Sequence, residues 1–141
     1  MFKWKHEYHA EVDVPLQKAW DFYVQPSNWP KWIDEFESCQ YEGELKTGEL
    51  VKLKAKNKNI YVPVVVGELK PYKELSIFIK VPFFSQASFS AFEKISNEKT
   101  SITFKTTVNS IFTLFMKSYL SQKVENQYLN LLNSLRCSVT N

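Results

Sequence analysis

From Ser110 to about Arg136, Ile111, Phe115, Met116, Tyr119, Leu120, Val124, Gln127, Tyr128, Leu131 and Leu135 recur at three- and four-residue steps. That is the spacing of one face of an α-helix. Ser110 fits an N-cap, no Gly or Pro interrupts the run, and Arg136 suits the negative end of the helix dipole. At ~1.5 Å per residue, about 26 residues make a rod of ~39 Å. A one-sided helix of that length needs a broad apolar surface to lie on.

The rest of the chain alternates with the two-residue period of strands. Over 1–14, Phe2, Trp4, His6, Tyr8, Ala10 and Val12 face one way, and Lys3, Lys5, Glu7, His9, Glu11 and Asp13 the other. Pro15 holds Val14 extended and suits a helix start; Leu16, Ala19, Trp20 and Tyr23 then predict a short amphipathic helix over 15–24, ended by Pro26. A second short helix is expected over 27–33, with Pro30 in its first turn and Trp29 and Trp32 as anchors. Strands follow over 36–42, 50–56, 60–69 and 74–81, and a last hairpin over 86–95 and 101–108. Pro63 marks an edge or a bulge, and Pro82-Phe83-Phe84-Ser85 reads as a turn. In the 36–42 strand, Phe36, Cys39 and Tyr41 do not share a parity, so alternation does not say which face looks inward.

The order is strand, two short helices, about six strands and one long helix. Strands joined by short turns pair antiparallel, and the long helix fills their concave side. The chain reads as one α+β domain of 141 residues, long enough to bury a real core. Aromatic residues make up 16% of it, enough to fill that core or to line a pocket for a flat ligand. The net charge of +3 rests almost wholly on lysine, with Arg136 the sole arginine, which argues against nucleic acid as a partner. Lys52, Lys54, Lys56 and Lys58 read as the wet side of a strand. No run approaches a membrane span, and Cys39 and Cys137 form no CxxC pair, so a reduced, cytoplasmic protein is expected.

With the segment VPLQKAWDFYVQPSNWPKWI at its head, this order resembles the START-like superfamily (helix-grip, Bet v 1-like or SRPBCC). The nearest branch is the polyketide cyclase/dehydrase-like group of small bacterial proteins. The features that carry the resemblance are Pro15, Ala19 and Trp20, then Trp29, Pro30 and Trp32, then Glu68, Leu69 and Pro71. It implies a curved antiparallel sheet of about seven strands gripping the long C-terminal helix over a cavity. Members of the superfamily hold lipids, sterols, polyketides, quinones, plant hormones or aromatic metabolites there. Some are enzymes, many only bind or carry, and one branch activates a chaperone.

The residues themselves offer little catalytic chemistry. His6 and His9 point to opposite faces of a strand and cannot share a metal ion, and no nucleophile motif or glycine-rich phosphate loop is present. His6, on the apolar face between Trp4 and Tyr8, is the weak candidate for a general base; its plainer reading is a satisfied core histidine. Lys123 would reach a ligand carboxylate at the cavity mouth or simply snorkel to solvent, while Glu93 and Glu125 read as solvated.

The expected ligand-binding set is His6, Tyr8, Phe83, Phe84, Phe104, Phe112, Phe115, Met116, Tyr119 and Lys123. Phe83, Phe84, Phe112 and Phe115 would form a lid, or a patch for transient membrane contact. The expected function is binding or transport of a small hydrophobic molecule, without metal or cofactor, by a monomer or homodimer. The alternatives are a cyclase or aromatase using a pocket His or Tyr, and an interaction module of the chaperone-activator type.

Overall fold

The computed structural model describes residues 3–41, 43–82, 84–110 and 117–140, with side chains of the last segment described over 122–137. Strand β1 (Lys3–Val12) is followed by helix α1 (Leu16–Tyr23), a 3-10 turn (Pro26–Asn28) and helix α2 (Trp29–Trp32). Then come β2 (Phe36–Gln40), β3 (Leu50–Ala55), β4 (Tyr61–Lys70), β5 (Glu74–Val81), β6 (Phe84–Ser96), β7 (Lys99–Ser110) and helix α3 (Lys117–Thr140). The strands form one antiparallel sheet in the order β1-β7-β6-β5-β4-β3-β2. Strands β2 to β7 form a meander, and β1 closes it by pairing with β7 from Lys3↔Asn109 to Val12↔Thr100.

Alternation decides which face is dry. Val12, Val51, Leu53, Val64, Val66, Leu75, Ile102 and Phe104 are almost fully buried, and α3 adds Val124, Tyr128, Leu131, Leu132 and Leu135. Each large aliphatic side chain removed from water in this way contributes about 1.5–3 kcal/mol. Along α3 the buried positions 124, 128, 131 and 135 follow the expected helical steps. Ser110 is the last residue of β7, opposite Phe84, and the expected start of the long helix after it lies outside the described residues. At its other end the helix passes Arg136 and reaches Thr140.

Two other local readings change in the fold. Phe84 belongs to β6, paired with Val81 on one side and Ser110 on the other, so it is a strand residue and not a turn residue. Lys56 and Lys58 lie in the β3–β4 turn and not on the strand, with Asn57 at φ 61 in the left-handed region that asparagine tolerates. In β2 the register shifts between Phe36 and Ser38. That bulge places two outward residues, Glu37 and Ser38, between Phe36 and Cys39, which both pack inward despite their mismatched parity.

Pro63 marks neither an edge strand nor a bulge: β4 lies between β3 and β5, and its register shift falls between Val66 and Leu69. The proline is accommodated near the start of β4, facing Lys52 of β3, where the ladder to β5 has not yet begun. Gly67 sits at a second register shift, and a Cβ there would come within 2.4 Å of the Phe78 ring, which lies across it from β5.

Candidate functional site

Packing of α3 on the sheet is not uniform along its length. Leu131, Leu132 and Leu135 fill the interior towards its C-terminus, whereas Lys123, Val124, Gln127 and Tyr128, a turn or two earlier, border a cavity of about 360 Å³. The sheet contributes Leu53 and Ala55 from β3, Val62 and Val64 from β4, and Ile77, Ile79 and Val81 from β5. Strand β6 supplies Phe84, Gln86, Ser88 and Ser90, and β7 supplies Val108. The segment from α1 to β2 closes the space with Tyr23, Trp29, Trp32, Ile33, Glu35 and Phe36. The walls are mostly aliphatic and aromatic, with a few convergent polar groups, as in small-molecule sites generally.

The space exists because of what β6 places on the inner face. Phe84 and Phe92 are bulky, but Gln86, Ser88 and Ser90 between them are polar, and the two serines are small. Their hydrogen bonds are local. Gln86 Nε2 donates to Ser88 Oγ at 3.2 Å, and Ser90 Oγ pairs with the Tyr23 hydroxyl reaching over from α1. Burial pushes the Tyr23 phenol well above its ordinary value, with the Ser90 hydrogen bond opposing the shift. Trp32 lies stacked on Tyr23 at 5.8 Å between ring centroids, and Trp29 donates its indole N–H to the Tyr23 carbonyl at 2.8 Å.

Behind Tyr128 lies a second aromatic layer. Its ring stacks on Phe104 at 4.0 Å and on Tyr8 at 5.5 Å, and its hydroxyl meets Thr106 Oγ1 at 2.6 Å. Burial pushes the Tyr128 phenol up to about 12, with the Thr106 hydrogen bond pulling the other way.

A polar clasp joins α3 to the segment after α2. Lys123 Nζ lies 2.7 Å from Glu35 Oε1, and Gln127 Nε2 donates to Glu35 Oε2 at 3.2 Å. One turn on, Asn130 donates to Asp34 Oδ2 at 3.2 Å. A shallow depression of about 220 Å³ runs over Asp34, Glu35, Gln122, Lys123, Asn126 and Gln127. It shares Glu35, Lys123 and Gln127 with the cavity, which makes the clasp a wall between the cavity and the surface. Half-burial pulls the Lys123 ammonium below its ordinary value.

Of the residues expected in the site, Phe84 and Lys123 border the cavity. His6, Tyr8 and Phe104 are not among the described lining residues. They lie on β1 and β7 at the far side of the sheet order, where α3 and Tyr128 cover them. His6 stacks on Trp4 at 5.4 Å, and its Nε2 is 3.5 Å from Glu125 Oε1 without forming a hydrogen bond. Phe83, Phe112, Phe115 and Met116, and the side chain of Tyr119, lie outside the described residues.

Tyr23, Trp32, Glu35 and the Gln86–Ser88–Ser90 row belong to the cavity wall without being expected there from the sequence. Only the last carried a signal, a polar run at the inward parity between two phenylalanines.

The sequence matches no protein-family model and no curated protein. Its structure does have close counterparts. Ara h 8.0201 superposes with a TM-score of 0.73 over 99% of this chain and 100% of its own, at 14% identity. A START superfamily protein from Mycobacterium smegmatis gives 0.76 over 94% and 97%, at 11% identity. The di-domain ARO/CYC BexL from the BE-7585A biosynthetic pathway gives 0.77 over 94% of this chain at 12% identity, and the match spans 46% of BexL. The chain has the START-like, or Bet v 1-like, helix-grip fold. At these identities the likeness is one of architecture, and function must be argued from the site.

Proposed function

We propose that the protein binds or carries a small hydrophobic molecule in the cavity between the sheet and α3. One observation carries this reading: the interior is left open for about 360 Å³ where larger side chains on β6 would have filled it. Apolar burial supplies the affinity; a ligand hiding roughly 200 Å² of apolar surface gains about 5 kcal/mol before the costs of association. Phe84 contributes to the apolar wall and Lys123 to the mouth, while Tyr8 and Phe104 hold Tyr128 in place. The likeness in fold to a START superfamily protein and to an ARO/CYC protein of a biosynthetic pathway lends support to a lipid-like or aromatic ligand.

Burial keeps the phenols of Tyr23 and Tyr128 on the described lining protonated, able to donate a hydrogen bond that orients a ligand. An interaction module would have a filled interior, which this one lacks. We read the protein as working in the cytoplasm; no described helix is long and apolar enough to cross a membrane.

Native mass spectrometry of freshly purified protein, followed by organic extraction, tests the proposal. A stoichiometric apolar adduct is the expected result. If no adduct appears, 1-anilinonaphthalene-8-sulfonate should still bind at one saturable site. Failure of both would overturn the reading.

A further inference from the structure

The two tryptophans of α2 are treated differently by the fold. The Trp29 indole donates to the Tyr23 carbonyl at 2.8 Å, but the Trp32 indole N–H is buried and has no hydrogen-bond partner. Trp32 is 4% exposed and belongs to the cavity wall. An orphaned buried donor costs free energy comparable to a lost hydrogen bond, and native interiors seldom leave one. The indole nitrogen donates and cannot accept, so whatever completes the site must offer an acceptor.

We infer that the ligand is a flat apolar molecule bearing a neutral acceptor oxygen, which takes a hydrogen bond from Trp32 Nε1. This rests on the cavity reading proposed above and specifies its chemistry. A neutral oxygen fits better than a carboxylate. The only cation on the described lining is Lys123, and it is engaged with Glu35 at the mouth. A carboxylate beside Trp32 would be buried without an opposite charge. The aromatic wall of Tyr23 and Trp32 favours a ring system, and the Tyr23–Ser90 hydroxyl pair adds polar edge to the same wall.

Two near-isosteric probes separate the donor from simple burial: 2-acetylnaphthalene, which has the carbonyl, and 2-isopropenylnaphthalene, which replaces its oxygen with a methylene. Both are titrated into the wild-type protein and into Trp32→Phe, which keeps a ring and loses the N–H. The ketone-to-alkene affinity ratio should fall about tenfold in the variant, with alkene binding little changed. A ratio that stays within about twofold would overturn the inference while leaving the cavity intact. Wild-type protein that binds neither probe but still binds 1-anilinonaphthalene-8-sulfonate would overturn the inference and leave the cavity reading standing; protein that binds none of the three would remove both. A second measurement needs no variant. With ¹⁵N-labelled wild-type protein, one indole N–H resonance should move downfield on adding the ketone and not on adding the alkene; equal responses would also overturn the inference.

Discussion

The hydroxyl of Tyr128, on α3, lies 2.6 Å from that of Thr106, on β7, and both residues are buried. This contact pins the long helix to the sheet at the boundary between the packed core and the cavity. Removing one partner leaves the other unsatisfied, so Tyr128→Phe and Thr106→Val should each cost about 1–2 kcal/mol. The double variant should cost less than the sum. Urea denaturation of the four proteins measures the coupling, and strict additivity would mean that the hydrogen bond contributes nothing.

The same tyrosine makes stability sensitive to high pH. Burial raises the Tyr128 phenol from 10.0 to about 12, and Tyr23 is raised for the same reason. The folded chain therefore holds these protons more tightly than the unfolded chain does. Their contribution is fully present below about pH 10 and is lost as pH rises through the folded values. For Tyr128 alone the loss amounts to about 1 kcal/mol by pH 11. Denaturation curves at pH 8, 10 and 11 should show stability falling in that window, and falling less steeply in Tyr128→Phe.

Filling the cavity should abolish ligand binding without unfolding the protein. Ser88→Phe places a ring from β6 into the space, whereas Ala87→Phe, at the opposite parity, adds the same bulk to the outer face. We expect Ser88→Phe to lose anilinonaphthalene sulfonate binding at least tenfold, with Tm within about 4 °C of wild type. Ala87→Phe should bind as wild type. Equal binding by both variants would place the probe elsewhere.

The clasp at the mouth should govern exchange more than stability. Lys123 and Glu35 are each about one-third exposed, so their ion pair is worth little in folding, ~0–1 kcal/mol. Lys123→Met keeps the apolar stem and removes the pairing with Glu35. Stopped-flow mixing with the same probe should show association accelerated several-fold, while Tm moves by no more than about 2–3 °C. Unchanged rates would mean that ligand enters by another route.

Two-residue alternation in β1, β5 and β7 and the three-to-four stepping of Val124, Tyr128, Leu131 and Leu135 were enough to give the elements, their order and their dry faces. Those patterns are local: a strand or helix that buries one face must write that face into its own sequence. The bulge that turns Phe36 and Cys39 the same way is not local, because it depends on register against β3. Phe84 looked like a turn residue because the flanking proline was visible, while its partners Val81 and Ser110 were not assigned to it. The site was hardest to see. Tyr23 meets Ser90 across 67 positions, and Lys123 meets Glu35 from the far end of the chain. A cavity is what remains when the side chains of several elements fall short of one another. Its volume, and the orphaned N–H of Trp32 on its wall, were decided only when those elements packed together.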